Sequence, residues 1–132
     1  MASRQRLYIL VVDLHEDVVS VTTSMLESLG YATRGETESL KALRAFSEDP
    51  TDFDLAIIEP AMPELMGVEL AVRLRRIRRD FPVMFYTTCV DPSVAEAIET
   101  AGLRQPAIKP MGLLELEGAV HEALHPPRLD IR

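Results

Sequence analysis

The feature that most restricts what this chain folds into is a repeated exchange between short apolar runs and helical patterns. Leu7-Tyr-Ile-Leu-Val-Val-Asp13 is apolar almost without interruption until it closes on an acid. Such a run fits a strand covered on both faces, because a strand with one wet face alternates instead. Residues 16–29 then switch to helical spacing, with Val18, Val21, Met25 and Leu29 as the expected inner stripe and Gly30 as the stop. Tyr31 to Arg34 reads as a short second strand. A helix over residues 38–48 follows, with Leu40, Leu43 and Phe46 inward, and it ends before Pro50. Asp54-Leu-Ala-Ile-Ile-Glu59 is a third strand that again closes on a carboxylate.

The same rhythm continues. The turn from Pro60 to Gly67 leads into a helix whose expected inner stripe is Leu70, Leu74 and Ile77. Pro82 to Thr88 is a fourth strand, and residues 92–101 form a short helix stopped by Gly102. Ala107-Ile-Lys109 is a minimal fifth strand before a last helix over 112–124, with Leu113, Leu116, Val120 and Leu124 inward. Five alternations of strand and helix argue for an α/β fold with one parallel sheet, right-handed crossovers and helices on both faces. Sheets of this kind place their sites at the carboxyl ends of strands, at a topological switch point. Asp13, Glu59, Thr87 and Lys109 all end strands, so they are the candidate site.

Composition narrows the function classes. A chain of 132 residues with 47% hydrophobic content has the size and core of one domain, expected over 1–125, with 126–132 as a tail or the start of a linker. No apolar stretch reaches membrane-span length, and residues 1–6 lead straight into a strand, unlike a signal peptide. One cysteine, Cys89, excludes an intrachain disulfide and fits a reducing compartment, so a cytoplasmic location is expected. A net charge of −7 predicts repulsion from nucleic acid and from anionic membrane. No P-loop, G-x-S-x-G or C-x-x-C occurs, so no nucleotide or thiol enzyme is expected.

The strand ends carry a resemblance. Val11-Val12-Asp13, Ile58-Glu59-Pro60-Ala61-Met62-Pro63 with Gly67, Thr87-Thr88 and Lys109-Pro110 resemble the receiver domains of bacterial response regulators and hybrid sensor kinases, over residues 7–124. The resemblance implies a flavodoxin-like (βα)5 fold with its five parallel strands in the order 2-1-3-4-5. It also implies phosphoryl transfer from a kinase histidine to a carboxylate after the third strand, with Mg²⁺, a hydroxyl and a lysine stabilising the charge. Matched residue by residue, Glu59 holds the phosphoacceptor position and Asp13 belongs to the acidic pocket. Thr87 is the switch hydroxyl, Lys109 the counter-charge, and the Ala61 carbonyl falls where the family has a metal ligand.

Three positions depart from the pattern. Glu59 stands where the family has aspartate, and its carboxylate reaches about 1.5 Å further along the chain. Leu14 replaces the second acid of the pair, removing an oxygen from a metal that wants six at about 2.0–2.1 Å. Pro106 stands where the family's switch has an aromatic ring. The expectation is therefore a receiver-like domain in two-component phosphorelay signalling that works without phosphorylation, through protein contacts. It needs no cofactor and offers Mg²⁺ only a weak site at Asp13, Glu59 and Ala61. Its expected partners are a histidine kinase or an output domain, with homodimerisation over the 92–124 face left open. The alternative is a working receiver that accepts a phosphoryl group on Glu59.

Other motifs have simpler explanations. His121-Glu-Ala-Leu-His125 matches the H-E-x-x-H pattern of zinc peptidases, a remote hydrolase alternative with only Asp130 downstream as a third ligand. Five residues match easily by chance, and two histidines near a helix C-terminus also suit the helix dipole. Arg73, Arg75, Arg76, Arg78 and Arg79 are expected to be a solvated face, with docking of an acidic partner as the alternative. No histidine is placed to activate Cys89, which reads as inert.

Overall fold

Side chains on a strand alternate between two faces, and in the central strands of this protein both faces are apolar. The computed structural model describes residues 6–126. Its elements run β1 (Tyr8–Val12), α1 (Glu16–Ser28), β2 (Ala32–Glu36), α2 (Ser39–Glu48), β3 (Leu55–Ile58), α3 (Gly67–Ile77), β4 (Val83–Thr87), α4 (Pro92–Thr100), β5 (Ala107–Ile108) and α5 (Leu113–Leu124). The sheet order is β2-β1-β3-β4-β5, and every pairing is parallel. Fold class and strand order are those expected from the sequence. Of the expected tail over 126–132, residues 127–132 lie outside the described residues.

The alternation sorts the core into two layers. Leu10, Val12, Ala56, Ile58, Val83 and Phe85 point to one side, where they meet α2, α3 and α4 through Ala42, Phe46, Leu70, Leu74 and Ile98. Ile9, Val11, Leu55, Ile57, Met84 and Tyr86 point to the other, against Leu26 of α1 and Leu116 and Val120 of α5. In the first layer Phe46 packs edge-on to Phe81 at 4.7 Å and stacks on Phe53 at 6.0 Å. Gly30 and Gly102 end α1 and α4 at φ +99° and +73°, a conformation that costs glycine no steric strain.

The helix faces differ from expectation in detail. Val19, Thr22 and Leu26 are the buried residues of α1, whereas Val21 is 59% exposed. In α2 the inner residues are Ala42, Ala45 and Phe46, with Leu40 outside; Ile77 of α3 and Leu113 of α5 are also exposed. The physical reason is space. Strands β1 and β3 present their own large side chains to the helices, so small residues such as Ala42, Ala45 and Thr22 occupy the closest approaches. No helix among the described residues is long and apolar enough to cross a membrane.

The arginine run is only partly a solvated face. Arg75 Nε donates to the Phe81 carbonyl at 2.9 Å, and Arg78 donates to the Pro50 and Phe53 carbonyls while lying 5.0 Å from the Phe81 ring centroid. These two side chains tie the end of α3 to the loops before β3 and β4. Arg73 pairs with Glu69 one turn away on the surface.

The offset on α1 is testable by paired substitutions. Leu26→Ala is expected to cost about 2–5 kcal/mol in urea unfolding, and Val21→Ala to stay within about 0.5 kcal/mol. Equal losses at the two positions would reverse the assigned inner face.

Candidate functional site

The pleat decides which strand-end residues meet. Asp13 follows Ile9 and Val11 in parity, and Glu59 follows Leu55 and Ile57, so both turn toward the α1 and α5 layer. Lys109 shares that side with Ala107. Thr87 instead follows Val83 and Phe85 into the opposite layer.

Lys109 unites the two acids. Its Nζ donates to Asp13 Oδ2 and, at 2.9 Å, to Glu59 Oε1. All three side chains are buried, with 7%, 4% and 11% exposure for Lys109, Asp13 and Glu59. The remaining oxygens are matched as well: Asp13 Oδ1 accepts the His15 backbone N–H at 2.9 Å, and Glu59 Oε2 accepts that of Ala61 at 3.0 Å. The longer glutamate thus folds back onto its own loop. Every carboxylate oxygen of the pair has a donor from the protein.

This geometry bears on Mg²⁺. The ammonium bridges the two carboxylates, where a shared cation would have to bind, and Leu14 contributes no oxygen. The space bounded by Val11, Asp13, Val18, Thr22, Ile57, Glu59 and Tyr86 has no room for a water molecule. Among the described residues no three His, Cys, Asp or Glu side chains are grouped to hold a metal. The donor set does not fit an ion that needs octahedral oxygens and keeps several waters.

Thr87 is near the cluster but not joined to it. Its hydroxyl donates to the Cys89 carbonyl at 3.3 Å. Cys89 is exposed and unpaired in a disulfide. His121 and His125 lie at the far end of α5, which runs back from the site toward the opening residues of β4.

Two supporting residues carry weaker sequence signals. Gly67 opens α3 directly against the site loop; a Cβ there would lie 2.1 Å from the Glu59 carbonyl oxygen, so only glycine permits this approach. Tyr86, buried in β4, accepts the Met111 N–H on its hydroxyl at 2.9 Å, and Lys109 Nζ lies 5.6 Å from its ring centroid. The signal for Tyr86 is a phenol in an otherwise apolar strand, which needs a polar partner when buried.

Burial alone would lower the Lys109 pKa, but hydrogen bonds to Asp13 and Glu59 and their coulombic attraction outweigh it, holding the ammonium above its ordinary value of 10.5. A raised pKa in the folded state adds stability that is complete below the unfolded value and disappears as pH climbs through the folded one. Stability is therefore expected to fall in the alkaline range above 10.5. Subtracting the curve of Lys109→Met separates this fall from tyrosine ionisation. At neutral pH, Lys109→Met leaves two buried carboxylates without a counter-charge and is expected to cost about 3–5 kcal/mol in denaturant unfolding. Adding Glu59→Gln is expected to restore part of that loss.

Comparison with known proteins agrees with this architecture. The model of the response regulator receiver domain matches residues 9–121. The response regulator SaeR of Staphylococcus epidermidis is 28% identical over 80 residues, which cover 61% of this chain and 34% of that protein. SaeR of Staphylococcus aureus is 26% identical over the same share, so the matched region spans about a third of the length of these curated relatives. Among solved structures, chemotaxis protein CheY4 of Vibrio cholerae superposes with a TM-score of 0.81 at 21% identity, covering 90% of this chain and 99% of its own. A CheY-like receiver domain protein of Methanospirillum hungatei gives 0.82 at 22% identity, covering 91% and 94%. With the five parallel strands in the order 2-1-3-4-5 and the acids and lysine gathered at their carboxyl ends, the chain belongs to the response regulator receiver domain family.

Proposed function

We propose that this receiver domain works in two-component signalling without being phosphorylated, as a cytoplasmic module that acts through protein contacts. The observation that carries the reading is the closed set of hydrogen bonds around Asp13, Glu59 and Lys109. A phosphoryl acceptor needs a carboxylate oxygen free to attack and a cation to neutralise the incoming group. Here the attacking oxygens are engaged, Leu14 has removed a metal ligand, and Mg²⁺ has no ready seat.

Glu59 is also a poor imitation of a phosphorylated residue. It supplies one negative charge, against about −1.5 to −2 and three acceptor oxygens on a phosphoryl group. Moving a switch from mostly off to mostly on takes about 5.5 kcal/mol of differential stabilisation. Thr87 faces the Cys89 carbonyl, so no strand-four hydroxyl draws Glu59 toward an active arrangement. The domain rests in one state, with Lys109 as its internal cation.

Protein contact has surfaces to use. Val18, Val21 and Met25 of α1 line a mostly apolar groove of about 290 Å³ with Pro110 and Met111 of the loop between β5 and α5. Elsewhere on the 92–124 region, Ile108 of the edge strand and Leu113 and Leu114 of α5 are exposed, and this is the region for self-association. Arg104 in that region is engaged within the chain by Glu122.

Small-molecule phosphodonors test the reading. With acetyl phosphate or phosphoramidate, with and without Mg²⁺, no acyl phosphate is expected on Glu59 by intact-mass measurement. Efficient Mg²⁺-dependent labelling of Glu59 would establish a working receiver instead. Glu59→Asp is expected to recover little labelling, because Leu14 still denies the metal a ligand.

A further inference from the structure

The two C-terminal histidines are unused by the site above. His121 lies in the last turn of α5 and His125 is the residue that caps it, its backbone N–H bonded to the His121 carbonyl at 2.9 Å; both are exposed, with ring centroids 4.7 Å apart and planes tilted by 49°. Rings this close lie within the span that two nitrogen–metal bonds of about 2.0–2.1 Å plus the ring radii bridge. Imidazole nitrogens select Cu²⁺, Ni²⁺ and Zn²⁺ over Mg²⁺ and Ca²⁺, which prefer oxygen. The chain's net charge of −7 raises the local concentration of any cation.

We propose that His121 and His125 form a two-histidine surface site for a divalent transition metal, with Cu²⁺ bound most tightly. The bond from the His125 N–H to the His121 carbonyl keeps the capping residue one turn from its partner, so the second metal bond forms with little further ordering of the chain. The remaining coordination positions are filled by water. Glu122 does not add a ligand, because it pairs with Arg104. Among the described residues no three His, Cys, Asp or Glu side chains are placed to hold a metal together, whereas catalytic zinc sites use three protein ligands. Asp130 lies outside the described residues. The site binds metal and is not a hydrolase centre. It ties the last turn of α5 at the end of the domain remote from the acidic cluster. The proposal is independent of whether Glu59 accepts phosphate.

The test is calorimetric titration of the tag-free chain carrying Cys89→Ser, which removes the exposed thiol as a competing ligand. One equivalent of Cu²⁺ is expected to bind, Zn²⁺ more weakly, and Mg²⁺ without measurable heat at the same concentration. His121→Ala and His125→Ala are each expected to weaken Cu²⁺ binding by at least the ~10–100-fold that loss of even an outer-shell partner costs. His15→Ala is expected to leave it unchanged. Electron paramagnetic resonance of the Cu²⁺ complex should show two imidazole nitrogens in the parent and one in each single variant. Unaltered affinity in the double His121→Ala/His125→Ala variant overturns the proposal, as does an absence of saturable Cu²⁺ binding to the parent.

Discussion

Two carboxylates buried side by side repel, and a single ammonium makes their burial tolerable. Unit charges ~4 Å apart in an effective dielectric of ~20 interact by roughly 4 kcal/mol, a sizeable share of the ~5–15 kcal/mol that holds a domain folded. Lys109 turns that repulsion into two attractions and links β1, β3 and β5 at their carboxyl ends. The cluster still carries one excess negative charge, and the backbone N–H groups of His15 and Ala61 complete its solvation. Buried ion groups of this kind add little net stability over a well-packed apolar core, but breaking one is costly. Their value lies in fixing where the strand ends and the loops after them must sit.

The parallel register gives this arrangement its geometry. A one-residue slip of a strand exchanges its two faces. Such a slip in β1 would send Asp13 into the layer of Phe46 and Phe81 and leave Lys109 with one partner. The ion cluster and the two apolar layers therefore specify the same register by different means. Local pattern, layer packing and charge pairing agree, and that agreement marks a sequence that selects one structure.

Much of the architecture is legible in the sequence because strand ends are sharply marked. Asp13, Glu59 and Lys109 each close an apolar run, and the pleat brings them together. The helix faces are less legible. On α1 the spacing picks out Val18, Val21, Met25 and Leu29, yet Val18, Val21 and Met25 line an open groove while Val19, Thr22 and Leu26 go inside. Hydrophobicity alone does not register how closely a helix approaches the sheet. Thr87 shows the same limit from another direction, since its position at a strand end says nothing of which layer its hydroxyl enters. Arg75 and Arg78 read as surface charge; Arg75 bonds a carbonyl six residues further on, and the carbonyl partners of Arg78 lie 28 and 25 residues away, on a segment that only the fold brings near. Tyr86 hides within an apolar strand, although its hydroxyl anchors the segment just beyond Lys109.

Lys109 lies 96 residues from Asp13 and 50 from Glu59 along the chain. Synthesis runs from the N-terminus, so both acids emerge from the ribosome before the cation that neutralises them, and the domain folds as a unit only once that cation is present. Without β5, Asp13 and Glu59 would be an uncompensated pair of negative charges at the rim of the sheet. Contacts of such long range form late and slowly. The last strand is only two residues long, yet its arrival converts the rim from repulsive to cohesive.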